Sequence, residues 1–274
     1  TLKMALSDLL AERNREINVI TVEDPPEYYI KGVRQMQVMN AATQEERKAK
    51  FVQAIMAALR DDPDAMMIGE IRDYESASLA YESANTGHSV WTSLHANNAI
   101  AIVDRLRDLR LEAYKVTDHE TIIGLIGQRL VRRLCQHCKI RAQQAVASGT
   151  LSETTFARAQ TLLSKLSMEG VQLYARHPQG CRECRHKGLN GRTVAAEVVA
   201  PDETFMSFCR DHRKSDARAY WIKEHGGITM MAHGVAKMIA GEISPDDIER
   251  SIDPIAWDDS MKLVPGLVAE MNSR

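Results

Sequence analysis

The chain of 274 residues contains 44% hydrophobic and 26% charged residues, which are the proportions of an ordinary globular protein and exclude a disordered or fibrous chain. The length suggests about two domains. Because 35 Lys and Arg stand against 37 Asp and Glu, the net charge of -2 is too balanced for binding nucleic acid through bulk charge. No apolar run approaches the roughly 18 residues that a membrane-spanning helix needs.

The chain up to about residue 115 alternates short apolar runs with helical patterns. Runs rich in β-branched or apolar residues predict strands at residues 18–22, 33–39, 65–68 and 89–94. Between them, helices are predicted around an apolar stripe from Phe51 to Leu59 and over residues 76–85 and 98–109. This alternation predicts an α/β domain with a largely parallel sheet, whose functional edge is the carboxyl end of its strands.

The second half of the chain is predicted to be mainly helical. Residues 117–134 predict one amphipathic helix, and residues 193–199 predict a strand. Further helices are predicted at residues 152–166, 203–211, 215–224, 230–239 and 245–251, whereas the chain after Asp253 has weak periodicity. We therefore expect three segments, namely an α/β core (1–130), a cysteine-containing element (131–192) and a mainly helical C-terminal subdomain (193–274).

Two Cys-x-x-Cys pairs define the middle segment. They are Cys135 with Cys138 and Cys181 with Cys184, at a spacing that lets adjacent thiolates share one tetrahedral metal. Four sulfur ligands leave no open coordination position, so we expect a structural Zn²⁺. The alternatives are a redox pair or simply buried cysteines, although the polar residues between the cysteines argue against burial. The fifth cysteine, Cys209, is expected to pack in a helix.

Residues 62–73 carry the most informative pattern. Four apolar residues predict a buried strand, and Gly69 and Glu70 follow at its carboxyl end. Nucleotide hydrolases use this pattern to place a carboxylate beside Mg²⁺ and the γ-phosphate. We interpret the segment as a Walker B element, and the alternative is a buried strand that ends in a solvated turn.

An acidic pair follows the first predicted strand. Glu23 and Asp24 precede Pro25 and Pro26, which stiffen the chain and are expected to hold the two carboxylates at the sheet edge. A carboxylate fixed there is suited to orient an attacking water. The alternative is an acidic turn that only interrupts regular structure.

Two histidines bracket the strand predicted at residues 89–94. His95 lies at its carboxyl end, on the edge expected for Glu23 and Glu70, and His88 precedes it. An imidazole at this edge is suited to donate a hydrogen bond to phosphate. The alternative is that each histidine is a satisfied structural side chain.

The three segments, in this order, resemble the aspartate box, Walker B element and histidine box of the secretion and pilus ATPases. That family includes type II secretion ATPases, type IV pilus assembly and retraction motors, and related conjugation ATPases. The resemblance implies a RecA-like P-loop ATPase core that uses ATP and Mg²⁺. It implies that Glu23 is the general base toward water, that Glu70 helps to hold Mg²⁺, and that His95, with His88, contacts nucleotide phosphate.

Two features of the chain depart from the family pattern. No Gly-x-x-x-x-Gly-Lys-Ser/Thr motif occurs, but residues 1–6 resemble the helix that follows this phosphate loop. We therefore expect the loop upstream of residue 1 and count Thr1 among the nucleotide-binding residues. Family members often carry two arginines before Walker B, at positions that fall on Met56 and Arg60. Only Arg60 is present, and by this resemblance we count it among the nucleotide-binding residues.

The tetracysteine element and the following residues 187–192 resemble the assembly and secretion branch of the family. The resemblance implies the C-terminal motor domain of a homo-hexameric ATPase that powers type IV pilus assembly or type II secretion. It would act in the cytoplasm at the bacterial inner membrane, with a membrane platform protein as partner and no direct nucleic-acid contact. The alternatives are a catalytically silent, zinc-stabilised interaction scaffold and a conjugation-type ATPase.

A basic cluster surrounds the first cysteine pair. It consists of Arg129, Arg132, Arg133, Lys139 and Arg141. This cluster suits either an anionic lipid or acidic partner surface, or an ordinary solvated face.

Overall fold

The chain folds into two structural units, and the computed structural model describes residues 2–14 and 16–273. The first unit consists of the chain up to Ala96 together with Ala101–Ile123. The second consists of Asn97–Ile100 and the chain from Gly124 onward. The cysteine pairs and the helical C-terminal segment therefore belong to the same unit.

A parallel sheet is the centre of the first unit. Among the described residues its strands are β1 (Val19–Glu23), β2 (Arg34–Gln37), β3 (Ala65–Ile68) and β4 (Ser89–Thr92). They lie in the order β2-β1-β3-β4, with every neighbouring pair parallel. The predicted parallel α/β sheet is thus confirmed. Because the strands are parallel, residues that follow β1, β3 and β4 all lie at one edge.

Helices precede, connect and follow these strands. They are α1 (Leu2–Glu12), α2 (Gln44–Leu59), α3 (Tyr74–Asn85), α4 (Ala101–Asp108) and α5 (Ala113–Val116). The helix α3 begins directly after the Walker B segment because the Asp73 side chain accepts a hydrogen bond from the backbone N of Ser76 at 2.9 Å. The side chain of Thr43 caps α2 in the same way.

Two long strands form an antiparallel ribbon in the second unit. They are β5 (Leu125–Leu134) and β8 (Leu189–Val199). The helix predicted over residues 117–134 is therefore wrong: residues 117–124 form turns and irregular chain, and Leu125–Leu134 is a strand. Leu125 and Val131 are buried at even spacing on one face, and the pairing with β8 satisfies their backbone groups. The predicted segment boundaries at 130 and 192 both fall inside this ribbon.

Further short elements complete the second unit. The remaining strands, β6 (Ile140–Arg141) and β7 (Tyr174–Ala175), pair antiparallel. The helices are α6 (Ala142–Ala147), α7 (Glu153–Lys165), α8 (Glu203–Arg210), α9 (Lys214–His225), α10 (Met230–Ile239), α11 (Pro245–Ser251) and α12 (Val264–Ser273), with a 3₁₀ turn at Asp259–Leu263.

One apolar core joins most of these elements. Val131 of β5, Phe156 of α7 and Val235 of α10 are buried in it. The chain after Asp253, despite its weak periodicity, contributes buried side chains such as Met261. Within the described residues, no helix has both the length and the apolar character that a membrane crossing requires.

Candidate active site and metal centre

Glu23 ends β1 with its carboxylate held by two side chains. The Thr21 hydroxyl donates to Glu23 Oε1 at 2.7 Å, and Gln35 Nε2 donates to the same oxygen at 2.9 Å. Gln35 on β2 is the register partner of Thr21, and its own Oε1 accepts from the backbone N of Ile30 at 2.9 Å. Sequence reasoning attributed the fixing of Glu23 to the prolines and missed Thr21 and Gln35. The contact with Thr21 could have been predicted from the two-residue spacing, which puts the side chains of Thr21 and Glu23 on the same face of the strand.

Asp24 has a different partner from Glu23. Its carboxylate accepts from Arg47 Nη1 on α2 at 3.1 and 3.3 Å and is largely buried. The two neighbouring carboxylates therefore have different partners: Glu23 accepts hydrogen bonds from residues of the sheet, whereas Asp24 forms an ion pair with Arg47 of α2.

Glu70 follows β3 and is paired with two basic side chains. Arg72 donates to Glu70 Oε2 from Nε at 2.8 Å and from Nη2 at 2.6 Å. His95 Nε2 lies 3.2 Å from Glu70 Oε1. The Glu70 side chain is 24% exposed and that of His95 is 93% exposed. The hydrogen bond to Glu70 raises the pKa of the Arg72 guanidinium above its usual value, so Arg72 stays charged beside the carboxylate.

The backbone at Gly69 joins the two acidic segments. Its N donates to the carbonyl of Val22 at 2.9 Å, which extends the pairing of β1 and β3 to the residue before each carboxylate. On the other side, the N of Ile71 donates to the carbonyl of Ser93 at 2.9 Å. These bonds bring the predicted aspartate, Walker B and histidine segments together at one edge.

His88 lies at the opposite end of β4 from His95. Its Nδ1 is 3.1 Å from the carbonyl of Ser83 and 3.3 Å from the Thr86 hydroxyl. The structure therefore places His95 against Glu70 but places His88 at the other end of β4, apart from both residues.

Arg60, another predicted nucleotide-binding residue, also lies apart from Glu70. Arg60 terminates α2, which leads into the amino end of β3, and its backbone N donates to the carbonyl of Ala57. Met56, where the family often has an arginine, is exposed on the same helix. Thr1 lies outside the described residues.

The four predicted metal ligands form one cluster in the second unit. The sulfurs of Cys135, Cys138, Cys181 and Cys184 all lie within 4.8 Å of one another. Three of the sulfur pairs are separated by 3.8, 3.9 and 3.8 Å. A tetrahedral site with Zn–S bonds of about 2.3 Å has S···S edges of about 3.8 Å. The cluster therefore fits the predicted zinc site in donor type and in spacing.

Two backbone N–H groups donate hydrogen bonds to Cys184 of the second Cys-x-x-Cys pair and favour its thiolate, the form that binds a cation. The backbone N atoms of Cys181 and Gly188 each donate to Cys184 Sγ at 3.1 Å. Burial by itself raises the pKa of the Cys184 thiol, but these hydrogen bonds outweigh it and lower the pKa to about 6. Burial and the neighbouring thiols raise the pKa of Cys138. Gly188 is required at its position because it has a φ of +67° and a Cβ would lie 2.3 Å from the carbonyl of His177.

Part of the basic cluster is structural. Arg132 donates from Nε to Asp247 Oδ1 at 2.7 Å, and Asp247 is only 2% exposed. Lys139 donates to the carbonyl of Gly241 at 2.9 Å and lies over the Tyr174 ring. These two basic side chains therefore stabilise the second unit.

A family model described as "Type II/IV secretion system protein" matches residues 1–251. The chain belongs to this family. The predicted resemblance to secretion and pilus ATPases is thereby confirmed.

Relatives in the family include secretion and pilus proteins. The chain is 33% identical over 254 residues to the type II secretion system protein E of Dickeya dadantii, covering 91% of this chain and 45% of that protein. It is 37% identical to the protein of that name from Klebsiella pneumoniae, covering 93% and 46%. It is also 37% identical to the type IV pilus assembly ATPase PilB of Thermus thermophilus, covering 84% and 24%. The chain thus spans less than half the length of these relatives.

Solved structures have the same fold. The pilus retraction motor PilT with bound ADP aligns with a TM-score of 0.55 at 21% identity, over 93% of this chain and 58% of that one. The ATPase DotB of Legionella pneumophila aligns with a TM-score of 0.54 at 21% identity, over 89% and 56%. At this identity the likeness establishes the fold, an α/β ATPase fold.

Proposed function

We propose that this chain is the motor part of a homo-hexameric ATPase that powers type II secretion or type IV pilus assembly at the cytoplasmic face of the bacterial inner membrane. One observation carries the proposal: in a member of the secretion family, Glu23 ends β1, Glu70 follows the adjacent parallel strand β3, and His95 lies against Glu70. A membrane platform protein would receive the mechanical output, and no nucleic-acid contact is proposed.

Glu23 is proposed as the general base. Thr21 and Gln35 hold its carboxylate at the sheet edge, so it would accept a proton from the attacking water without first reorienting. Both bonds are to Oε1, so residues of β1 and β2 fix the position of this oxygen.

Glu70 is proposed to hold Mg²⁺ and His95 to contact phosphate. Carboxylate oxygens are ligands that suit Mg²⁺, and Glu70 lies partly exposed at the site edge. When bound, Mg²⁺ neutralises charge on the phosphate oxygens. The exposed imidazole of His95 would donate a hydrogen bond to phosphate. Arg72 would stay charged beside it and counter the negative charge of the nucleotide.

Thr1, His88 and Arg60 are proposed as further nucleotide contacts. Because His88 and Arg60 lie at the amino ends of the strands, a contact from either would be to nucleotide held by a neighbouring subunit. In the second unit, the four cysteines would bind a structural Zn²⁺, as the sulfur spacing supports.

ATP hydrolysis by the full-length protein tests the proposal. We expect Glu70→Gln, which preserves size and removes the charge, to lower kcat by about a hundredfold. The matched control is Glu75→Gln on α3, whose side chain is about half exposed; it should leave kcat unchanged. Light scattering on the same samples should give the mass of a hexamer.

Two outcomes of the ATPase measurement would favour an alternative function. A properly folded wild-type hexamer that hydrolyses no more ATP than Glu70→Gln would favour the silent scaffold over the motor. A protein that is active only in the presence of DNA would favour a conjugation-type ATPase.

A further inference from the structure

The side-chain amide of Gln35 has a single orientation that satisfies its neighbours. Its Oε1 accepts a hydrogen bond from the backbone N of Ile30 at 2.9 Å, and its Nε2 donates to the carbonyl of Tyr28 and to Glu23 Oε1, both at 2.9 Å. A flipped amide would turn its oxygen toward two acceptors, a carbonyl and a carboxylate, and its NH₂ group toward a donor. The loop just before β2, which contains Tyr28 and Ile30, therefore directs the N–H donor of Gln35 toward Glu23.

Ile30 anchors this loop in the first unit. Its side chain is only 2% exposed and lies in an apolar cluster with Leu6 and Leu10 of α1. The backbone N of Val33 donates to the Ile30 carbonyl at 3.2 Å and closes a turn at the start of β2. The loop is therefore held in place at the residue whose N–H orients the Gln35 amide.

The two oxygens of the Glu23 carboxylate have different surroundings. Oε1 accepts from both Gln35 Nε2 and the hydroxyl of Thr21, a fully buried residue. Among the residues that the structure describes, none donates a hydrogen bond to Oε2. Oε1 is thus the oxygen that the protein holds, and Oε2 is the oxygen whose lone pairs are available to a water molecule.

We propose that Gln35 is a positioning residue for ATP hydrolysis: the loop before β2 directs its amide to Glu23 Oε1, and Oε2 is the oxygen that takes the proton from the attacking water. In this step a water O–H bond breaks and its proton passes to Oε2. The water oxygen bonds to the γ-phosphorus as the bond from that phosphorus to the leaving ADP oxygen breaks. This role rests on the proposed function, because it requires Glu23 to be the general base. Gln35 touches neither water nor nucleotide and acts through the carboxylate.

The first test is Gln35→Glu in the full-length protein. The substitution keeps the size of the side chain and an acceptor for the Ile30 N–H, but it replaces the donor to Glu23 with a second carboxylate. Because like charges repel, the Glu23 carboxylate should leave its position. We expect kcat for ATP to fall by about tenfold while KM changes by less than about twofold. The control is Gln53→Glu, the same change at an exposed position of α2, which should leave both constants unchanged.

A second variant separates the loss of the donor from the added charge. Gln35→Met removes the donor to Glu23 without changing the charge, so kcat should again fall by about tenfold at nearly constant KM. It also leaves the Ile30 N–H without its acceptor and should lower the melting temperature, whereas Gln35→Glu keeps an acceptor there. Loss of activity in Gln35→Met alone, or failure of both variants to fold, would show that the role of Gln35 is structural and that the positioning role is wrong.

A double-mutant cycle tests whether Gln35 acts through Glu23. In Glu23→Gln the proposed base is already absent, so the addition of Gln35→Met should not lower kcat further. Two losses that multiply, or a kcat of Gln35→Met equal to that of the wild type, would overturn the positioning role. A wild-type protein without ATPase activity would overturn the proposed function as well, and full activity of Glu23→Gln would overturn Glu23 as the base, so these failures are distinguishable.

Discussion

Gly69 approaches Glu23 so closely that a Cβ built on Gly69 would lie 3.4 Å from the Glu23 Cα and 3.3 Å from the carbonyl oxygen of Val22. A hydrogen atom at this position lets the chain after β3 lie directly against the end of β1. The separation between the two proposed catalytic carboxylates is therefore set by the absence of a side chain at Gly69.

Gly69→Ala is expected to separate these two strand ends by a few tenths of an ångström. Since catalysis depends on the distance between groups, we expect kcat for ATP to fall by about tenfold with the fold retained. The measurement is steady-state ATP hydrolysis together with thermal denaturation. Gly170→Ala, at a position where a Cβ meets open space, is the matched control. Equal activity of the two variants would contradict the role given to Gly69.

The cysteine cluster is expected to hold about one zinc per chain. Cys181→Ser should lower the zinc content and the melting temperature, because metal-binding energy contributes directly to folding. Elemental analysis of the purified protein and thermal denaturation are the measurements. Cys209→Ser changes a buried cysteine of α8 outside the cluster and should keep the zinc. Retention of full zinc by Cys181→Ser would rule out this set of ligands.

The sequence predicted β3 residue for residue, because a short continuous apolar run between turns has one clear interpretation. The same reasoning predicted that Glu23, Glu70 and His95 lie at one edge, since each is at or just after the carboxyl end of a strand of the parallel sheet. It failed at β5. There the apolar residues fit both a helical and an alternating pattern, and only pairing with β8, more than 50 residues later, decides between them.

Buried carboxylates were also missed. Glu197 is held by backbone N–H groups 33 and 98 residues away, and backbone donors leave no trace in the amino-acid sequence. Asp247 pairs with Arg132, 115 residues away, and read in isolation it looks like an ordinary acidic residue in the first turn of α11. Such partners become visible only when the fold is known.

The ion pair between Arg132 and Asp247 is expected to matter for stability. Arg132→Met would leave the Asp247 carboxylate buried, with the Ser244 hydroxyl as a remaining partner at 2.8 Å. We expect the free energy of unfolding to fall by about 3 kcal/mol, as for removal of one partner of a buried pair. Urea denaturation measures the change. Arg133→Met, at the exposed next position of β5, is the control, and an equal effect of both substitutions would contradict the prediction.

Glu249 is expected to make the stability of the second unit depend on pH. Its carboxylate accepts from Arg158 Nε and Nη2, both at 2.8 Å, from the Thr155 hydroxyl at 2.7 Å and from the backbone N of Ile255 at 3.1 Å. Burial acts to raise the pKa of Glu249, but these hydrogen bonds outweigh it and hold the pKa below its usual value. A lowered pKa in the folded state means that the stabilisation is complete above the pKa of the unfolded state and is lost as the pH falls through the folded pKa.

Glu249→Gln should therefore be less stable than the wild type by about 1–2 kcal/mol at neutral pH, and the difference should shrink as the pH falls below about 4. Urea denaturation of both proteins between neutral and acidic pH measures it. Acid would also release zinc from the proposed cysteine site of both proteins, so the difference between them is the informative quantity. Glu169→Gln, at an exposed carboxylate, serves as control, and a difference for Glu249→Gln that stays constant across this range would show that the ion pair does not titrate as the structure implies.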